Sequence, residues 1–197
     1  GLLMLLMLAG CANYGTPKNI EIPDPREADR YSLHDWREEH SDSDIRFILT
    51  FSGGGTRAAA LSYGVMKELR DTNITYEGRQ GRLLDEVDYI SSVSGGSFTS
   101  AYYGLHGDGI FESYEEDFLR FDLQKHLVLR ALNPFLWFSK NGRTESAIKY
   151  YQKFLFHDAT FADMIRPDRP MIIINASDLA YGIRFSFIQE YFDLLCS

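Results

Sequence analysis

Within YISSVSGGSF, residues 89–98, Ser94 closes an apolar run and two glycines follow it. A strand that turns abruptly into a helix through a serine forces that serine into a strained backbone conformation and exposes its hydroxyl at the rim of a sheet. Bulky side chains two positions away would collide there. Ser92 and Gly96 are small enough, so residues 92–96 read as Ser-x-Ser-x-Gly, a nucleophile elbow with Ser92 in place of its first glycine and Gly95 behind the nucleophile. The neighbouring serines fit less well: Ser97 has Thr99 two residues on, and Ser91 and Ser92 lie within the apolar run.

Forty residues earlier, FILTFSGGGTRAAALSYGV (47–65) carries three consecutive glycines between an apolar run and a helical pattern. A serine attacking an ester needs donors aimed at the developing oxyanion, and glycine amides approach closely because no Cβ intervenes. Gly53, Gly54 and Gly55 are the candidate donors, each worth about 3 to 4 kcal/mol of barrier. The helix start behind them adds partial positive charge, and Arg57 adds a full charge or a strut for the loop.

Other chemistries are weaker on the same residues. Gly53-x-Gly55-x-x-Ala58 nearly fits a dinucleotide fingerprint, but that site needs an acidic residue ending the next strand, where this chain has Ser94-Gly95. A P-loop needs Gly-Lys-Ser/Thr, which is absent. A Ser-His-Asp hydrolase needs a histidine after a later strand; His126 and His157 fall in helical patterns, and His34, His40 and His106 end no strand. A lipid-binding protein on a catalytically dead scaffold is the non-enzymatic alternative.

The positioning elements follow from periodicity. Ile45–Phe51 reads as a strand buried on both faces, the stretch after the glycines as a helix to about Arg70, 78–82 as a loop, and Val87–Val93 as a second strand with a helix after Ser94. This order predicts an α/β fold: an open, mostly parallel sheet flanked by helices, with both bends at one edge. Residues 113–157 are helical in pattern around the aromatic run NPFLWF (133–138), read first as core packing and second as an acyl-binding wall. MIIINA (171–176) is a third strand, and 183–189 alternates and pairs back across the 178–182 turn. Residues 32–44 read as a short, charged surface helix, with Leu33 and Trp36 three apart.

A net charge of −8 without a basic run excludes a nucleic-acid partner. Two cysteines, Cys11 and Cys196, make no disulfide framework or metal cluster, and Cys196 reads as a buried thiol; no metal or organic cofactor is implied. Residues 2–8, LLMLLML, are too short to span a bilayer and read as the tail of a signal peptide. Residues 12–30, with Pro17, Pro23 and Pro25, suit an extended tether. The expected organisation is a signal remnant over 1–11, a tether and polar lead-in over 12–44, and a domain from 45 to 197 that continues further.

Two resemblances sharpen this. Leu8-Ala9-Gly10-Cys11 resembles a bacterial lipobox, which implies cleavage before Cys11, a lipid on its sulfur and, with Ala12 following, anchoring in the outer membrane. Gly53-Gly54-Gly55-Thr56-Arg57-Ala58, with Ser94 and Gly96 and the downstream INASDLAYGIRFSF, resembles the patatin-like phospholipase family, with Ala58 and Ser92 replacing two of its glycines. That resemblance spans about 45–192. It implies an acyl hydrolase of the phospholipase A or lysophospholipase type acting on membrane lipid, through Ser94, the Gly53–Gly55 oxyanion turn and a Ser-Asp dyad. Its aspartate opens an Asp-Gly-Gly or Asp-Gly-Ala turn; neither Asp108 nor Asp178 does, so the dyad aspartate is expected beyond Ser197 and residues 1–197 alone are expected to be inactive.

Overall fold

The computed structural model describes residues 30–40, 46–76, 78–120 and 143–194. Cys11, the expected tether before residue 30, His126, the 133–138 aromatic run and Cys196 lie outside them. In chain order the elements are α1 (Leu33–Glu39), β1 (Phe47–Phe51), α2 (Thr56–Asp71), β2 (Asn73–Tyr76), β3 (Arg79–Arg82), β4 (Val87–Val93), α3 (Gly95–His106), α4 (Ile110–Tyr114), α5 (Arg143–Tyr150), β5 (Met171–Ser177), β6 (Arg184–Ser186) and α6 (Gln189–Leu194). Single π-turns extend α4 and α5, over Glu115–Leu119 and Tyr151–Leu155.

The main sheet runs β1-β4-β5-β6. β4 pairs parallel with β1 and β5, and β6 returns antiparallel on β5. The sheet is therefore open and mostly parallel, as the strand and helix order predicts. Both crossovers, β1 to β4 and β4 to β5, step the same way across it. Right-handed connections then put their helices on one face. Phe51, Ser92, Ile172 and Ile174 face that layer, and Met66, Ile90, Ile110, Tyr114 and Ile172 form its fully buried centre.

Among the described residues, the opposite face is covered at the strand starts. There α1 is held by its Ser32 cap, whose hydroxyl accepts from the Asp35 amide at 3.1 Å, and Trp36 lies against Tyr89 with ring centroids 4.6 Å apart. Burial on β1 consequently alternates, with Ile48 53% exposed, and the expectation of a strand covered on both faces is corrected.

A second correction concerns 78–82. Arg79–Arg82 is a strand, paired antiparallel with β2 in a separate ribbon. Gly78 at φ 75° supplies the left-handed turn such a tight hairpin needs, and the polar composition of β3 suits an exposed ribbon. Asn-Ile-Thr-Tyr before Glu-Gly was the signal for it. Among the described residues, no helix is long and apolar enough to cross a membrane.

Candidate active site

Ser94 stands between the last residue of β4 and the first of α3, at φ 54° and ψ −122°, outside the ordinary regions for a residue with a Cβ. The turn is tight because the helix starts immediately: the Ser97 amide donates to the Ser94 carbonyl at 3.0 Å. The Ser94 side chain is exposed.

The triple-glycine turn reaches the same point. A Cβ placed on Gly53 would lie 3.2 Å from the Ser94 Cβ and 3.7 Å from its Oγ. From the other side, a Cβ on Gly95 would run into the Gly55 carbonyl, and one on Gly96 would come within 2.7 Å of the Phe51 Cβ and 2.8 Å of the Ser52 carbonyl oxygen. The two bends therefore interlock, and glycine at 95 and 96 is a condition of that contact, while a side chain at 53 would crowd it. Gly54 and Gly55 sit at φ 143° and 63°, which a side chain would strain. Among the described residues, the amides of Gly53, Gly54 and Gly55 donate to no backbone carbonyl outside the regular elements, and the turn is exposed from Ser52 to Arg57.

The two departures from the glycine pattern have local reasons. Ser92 is buried and its hydroxyl lies 2.6 Å from that of Ser100 on α3, which in turn donates to the Ser97 carbonyl at 3.2 Å. The extra atoms of Ser92 thus fill and satisfy the strand-to-helix contact. Ala58 lies on the first turn of α2, where a Cβ on Gly54 would approach its methyl to 3.2 Å. Arg57 is exposed beside it and, among the described residues, makes no hydrogen bond.

Sequence reasoning missed Asn175. Its amide donates to the Ser91 hydroxyl and the Ser92 carbonyl, both at 3.0 Å, while its carbonyl accepts from Ser186 at 2.7 Å. It ties β5 and β6 to the last turn of β4 and so fixes the strand that carries Ser94. An asparagine near the end of an apolar strand was the signal.

The histidines lie elsewhere. His106 ends α3, twelve residues from Ser94, about 18 Å of helix. Burial, with His157 6.5 Å away, lowers its pKa. His157 sits after the π-turn at φ 51°, outside the helical pattern expected of it. His40 stacks on Trp36, and His34 is on α1 beside Asp35 and Glu38. Asp108 pairs with Arg82 at 2.6 Å, and Asp178 caps its own turn by accepting from Ala180 and Tyr181. Among the described residues no cluster of His, Cys, Asp or Glu could hold a metal.

Two of the cavities along this framework differ in character. One of about 430 Å³, lined by Trp36, His40, Asp85 and Asp88, opens at the strand starts, the end of the sheet away from Ser94. The other, about 460 Å³ and almost wholly apolar, lies along α3 from Ser97 to Leu105.

Fold and site together define an α/β protein that presents a serine at a strand-to-helix elbow against a glycine turn. Residues 49–185 match the model of the patatin-like phospholipase family, and the chain belongs to that family. Among solved structures it is similar to human GIVD cytosolic phospholipase A2 in complex with methyl gamma-linolenyl fluorophosphonate, at 17% identity and a TM-score of 0.45. That match covers 90% of this chain and 31% of the other, so the chain spans about a third of that protein's length. No curated protein matches it.

Proposed function

We propose that the protein is a serine acyl-ester hydrolase acting on membrane lipids, of the phospholipase A or lysophospholipase type. The observation that carries this reading is the interlock of the two bends, which holds an exposed hydroxyl at φ 54° within reach of the glycine turn. Ser94 Oγ attacks the ester carbonyl, its proton passes to the dyad aspartate beyond residue 197, and the oxyanion is held by the Gly53–Gly55 amides with the α2 start and Arg57 behind them. The leaving alcohol takes up that proton. Water, deprotonated by the same carboxylate, then hydrolyses the acyl-serine and frees the fatty acid and Ser94.

A lipid surface is the setting this reading assigns. The β5–β6 turn projects from the C-terminal end of β5, the same edge as Ser94, and carries Leu179 100%, Tyr181 81% and Ile183 59% exposed. Exposed apolar side chains on a turn braced by Asp178 suit shallow insertion among lipid headgroups. The likeness of Leu8–Cys11 to a lipobox supports a lipoprotein anchored at Cys11, in the outer membrane, with residues 12–30 as tether.

The test is labelling of the full-length protein with a fluorophosphonate, followed by mass mapping and lipid hydrolysis assays. Adduct on Ser94 and loss of both labelling and hydrolysis in Ser94→Ala are expected. Hydrolysis that survives Ser94→Ala ends the reading. Incorporation of labelled palmitate that is lost in Cys11→Ala checks the anchor.

A further inference from the structure

We infer that the apolar groove along α3 seats one acyl chain of the substrate and measures its length, with Leu105 marking about thirteen carbons from the ester. The inference deepens the proposed hydrolase reading and rests on it.

The groove starts at the elbow. Ser97, at its near end, is one helical turn from Ser94. Ser97, Ala101 and Leu105 then recur at i, i+4 and i+8, which places them in one stripe along α3 running away from the nucleophile. The stripe rises from two small residues to a large one. Opposite it, Phe98, Tyr151 and Phe156 make an aromatic wall, with Phe98 4.7 Å from Tyr151 and 6.0 Å from Phe156 between ring centroids. Ile174 and Met164 close the side toward the sheet.

The position of the near end orients an acyl chain. The ester lies at Ser94, one helical turn from Ser97, so the chain enters at Ser97 and its methyl end points toward Leu105. Along the way the lining offers it little polarity: Gln152 donates to Asp158 at 2.7 Å, Thr160 donates to Asp163 at 2.9 Å, and the Ser97 hydroxyl is itself buried.

The length follows from the helix. The ester lies at Ser94, and the eleven residues from there to Leu105 rise about 16 Å. An extended hydrocarbon with bonds of about 1.5 Å advances roughly 1.25 Å per carbon, so this span holds about thirteen. A volume of about 460 Å³ lies toward the small end of the range for ligand sites, which fits one chain and not a pair.

The test is calorimetric binding of straight-chain fatty acids of six to sixteen carbons to full-length protein carrying Ser94→Ala. Affinity is expected to rise about fourfold per methylene and to level off near thirteen carbons. Leu105→Ala is expected to move the levelling point to longer chains, and Ala101→Trp to shorter ones. Should Ala101→Trp fail to fold, Leu105→Trp, at a half-buried position, replaces it. Absent binding, affinity that climbs unbroken through sixteen carbons, or a levelling point indifferent to Leu105 overturns the inference. The two readings fail separately. Length-gauged binding with a Ser94 that neither labels nor hydrolyses removes the hydrolase and keeps the groove, whereas a reactive Ser94 without length-gauged binding removes the groove alone.

Discussion

A single Cβ separates glycine from alanine at Gly95, and the whole elbow depends on it. Because that atom would meet the Gly55 carbonyl, Gly95→Ala must push the oxyanion turn off Ser94. Hydrolysis is expected to fall by at least about 100-fold, the scale of losing an oxyanion donor, with a stability loss of about 1 to 3 kcal/mol from overpacking. Steady-state kinetics and a denaturant melt on one preparation check both. Ser92→Gly restores the glycine of the family pattern yet is expected to destabilise by about 1 kcal/mol. It deletes the buried hydroxyl that meets Ser100, and it adds a flexible residue to a strand. A melt midpoint unchanged from the parent would count against that account of the substitution.

At the scale of elements, the β5–β6 turn and the end of β4 share one edge of the sheet, which the proposed function sets at a lipid surface. Asn175 fastens β5 to the last turn of β4, so Asn175→Ala leaves the hydroxyls of Ser91 and Ser186 and the Ser92 carbonyl short of a partner. A loss of about 1 to 3 kcal/mol is expected in a urea titration. The turn itself touches little, so replacing Leu179, Tyr181 and Ile183 together with serine is expected to leave the melt unchanged. Vesicle binding by protein carrying Cys11→Ser is expected to fall at least about tenfold, since burial of even one such side chain is worth about 1.5 to 3 kcal/mol. Co-sedimentation with phospholipid vesicles measures it, and unchanged sedimentation would detach the turn from the membrane.

For the molecule as a whole, pH acts through groups remote from Ser94. Burial, then His157, Arg169 and Arg166, lower the pKa of His106 against a smaller opposing pull from Asp117. The unfolded chain therefore takes up the proton at a higher pH than the folded one, and stability falls as pH drops below the ordinary histidine value of about 6.5. His106→Asn is expected to flatten the melting temperature between about pH 7.5 and pH 5.5. Further down, Asp163, held low by the Thr160 amide, and Glu115, held low by Arg120, give up their stabilisation as they protonate.

The sequence by itself determined the kind of fold and the kind of chemistry. Apolar runs mark β1, β4 and β5, the first two ending at glycine turns and the third starting after Pro170, and the residue types around Ser94 and Gly53–Gly55 are those that a strand-to-helix turn and a close backbone approach require. Such constraints are local, acting within a few bonds, and so are written in adjacent residues. The β2–β3 ribbon was legible in part, through Gly78, but its charged strand hid behind a weak period. Only the tertiary structure decided that the two bends touch, that Asn175 braces the nucleophile strand, that Ile48 stays half exposed, and that Ser97, Ala101 and Leu105 line a groove. Each of these depends on which residues of distant segments meet. That is set by the sum of many contacts across the sheet, and no short stretch of the chain contains it.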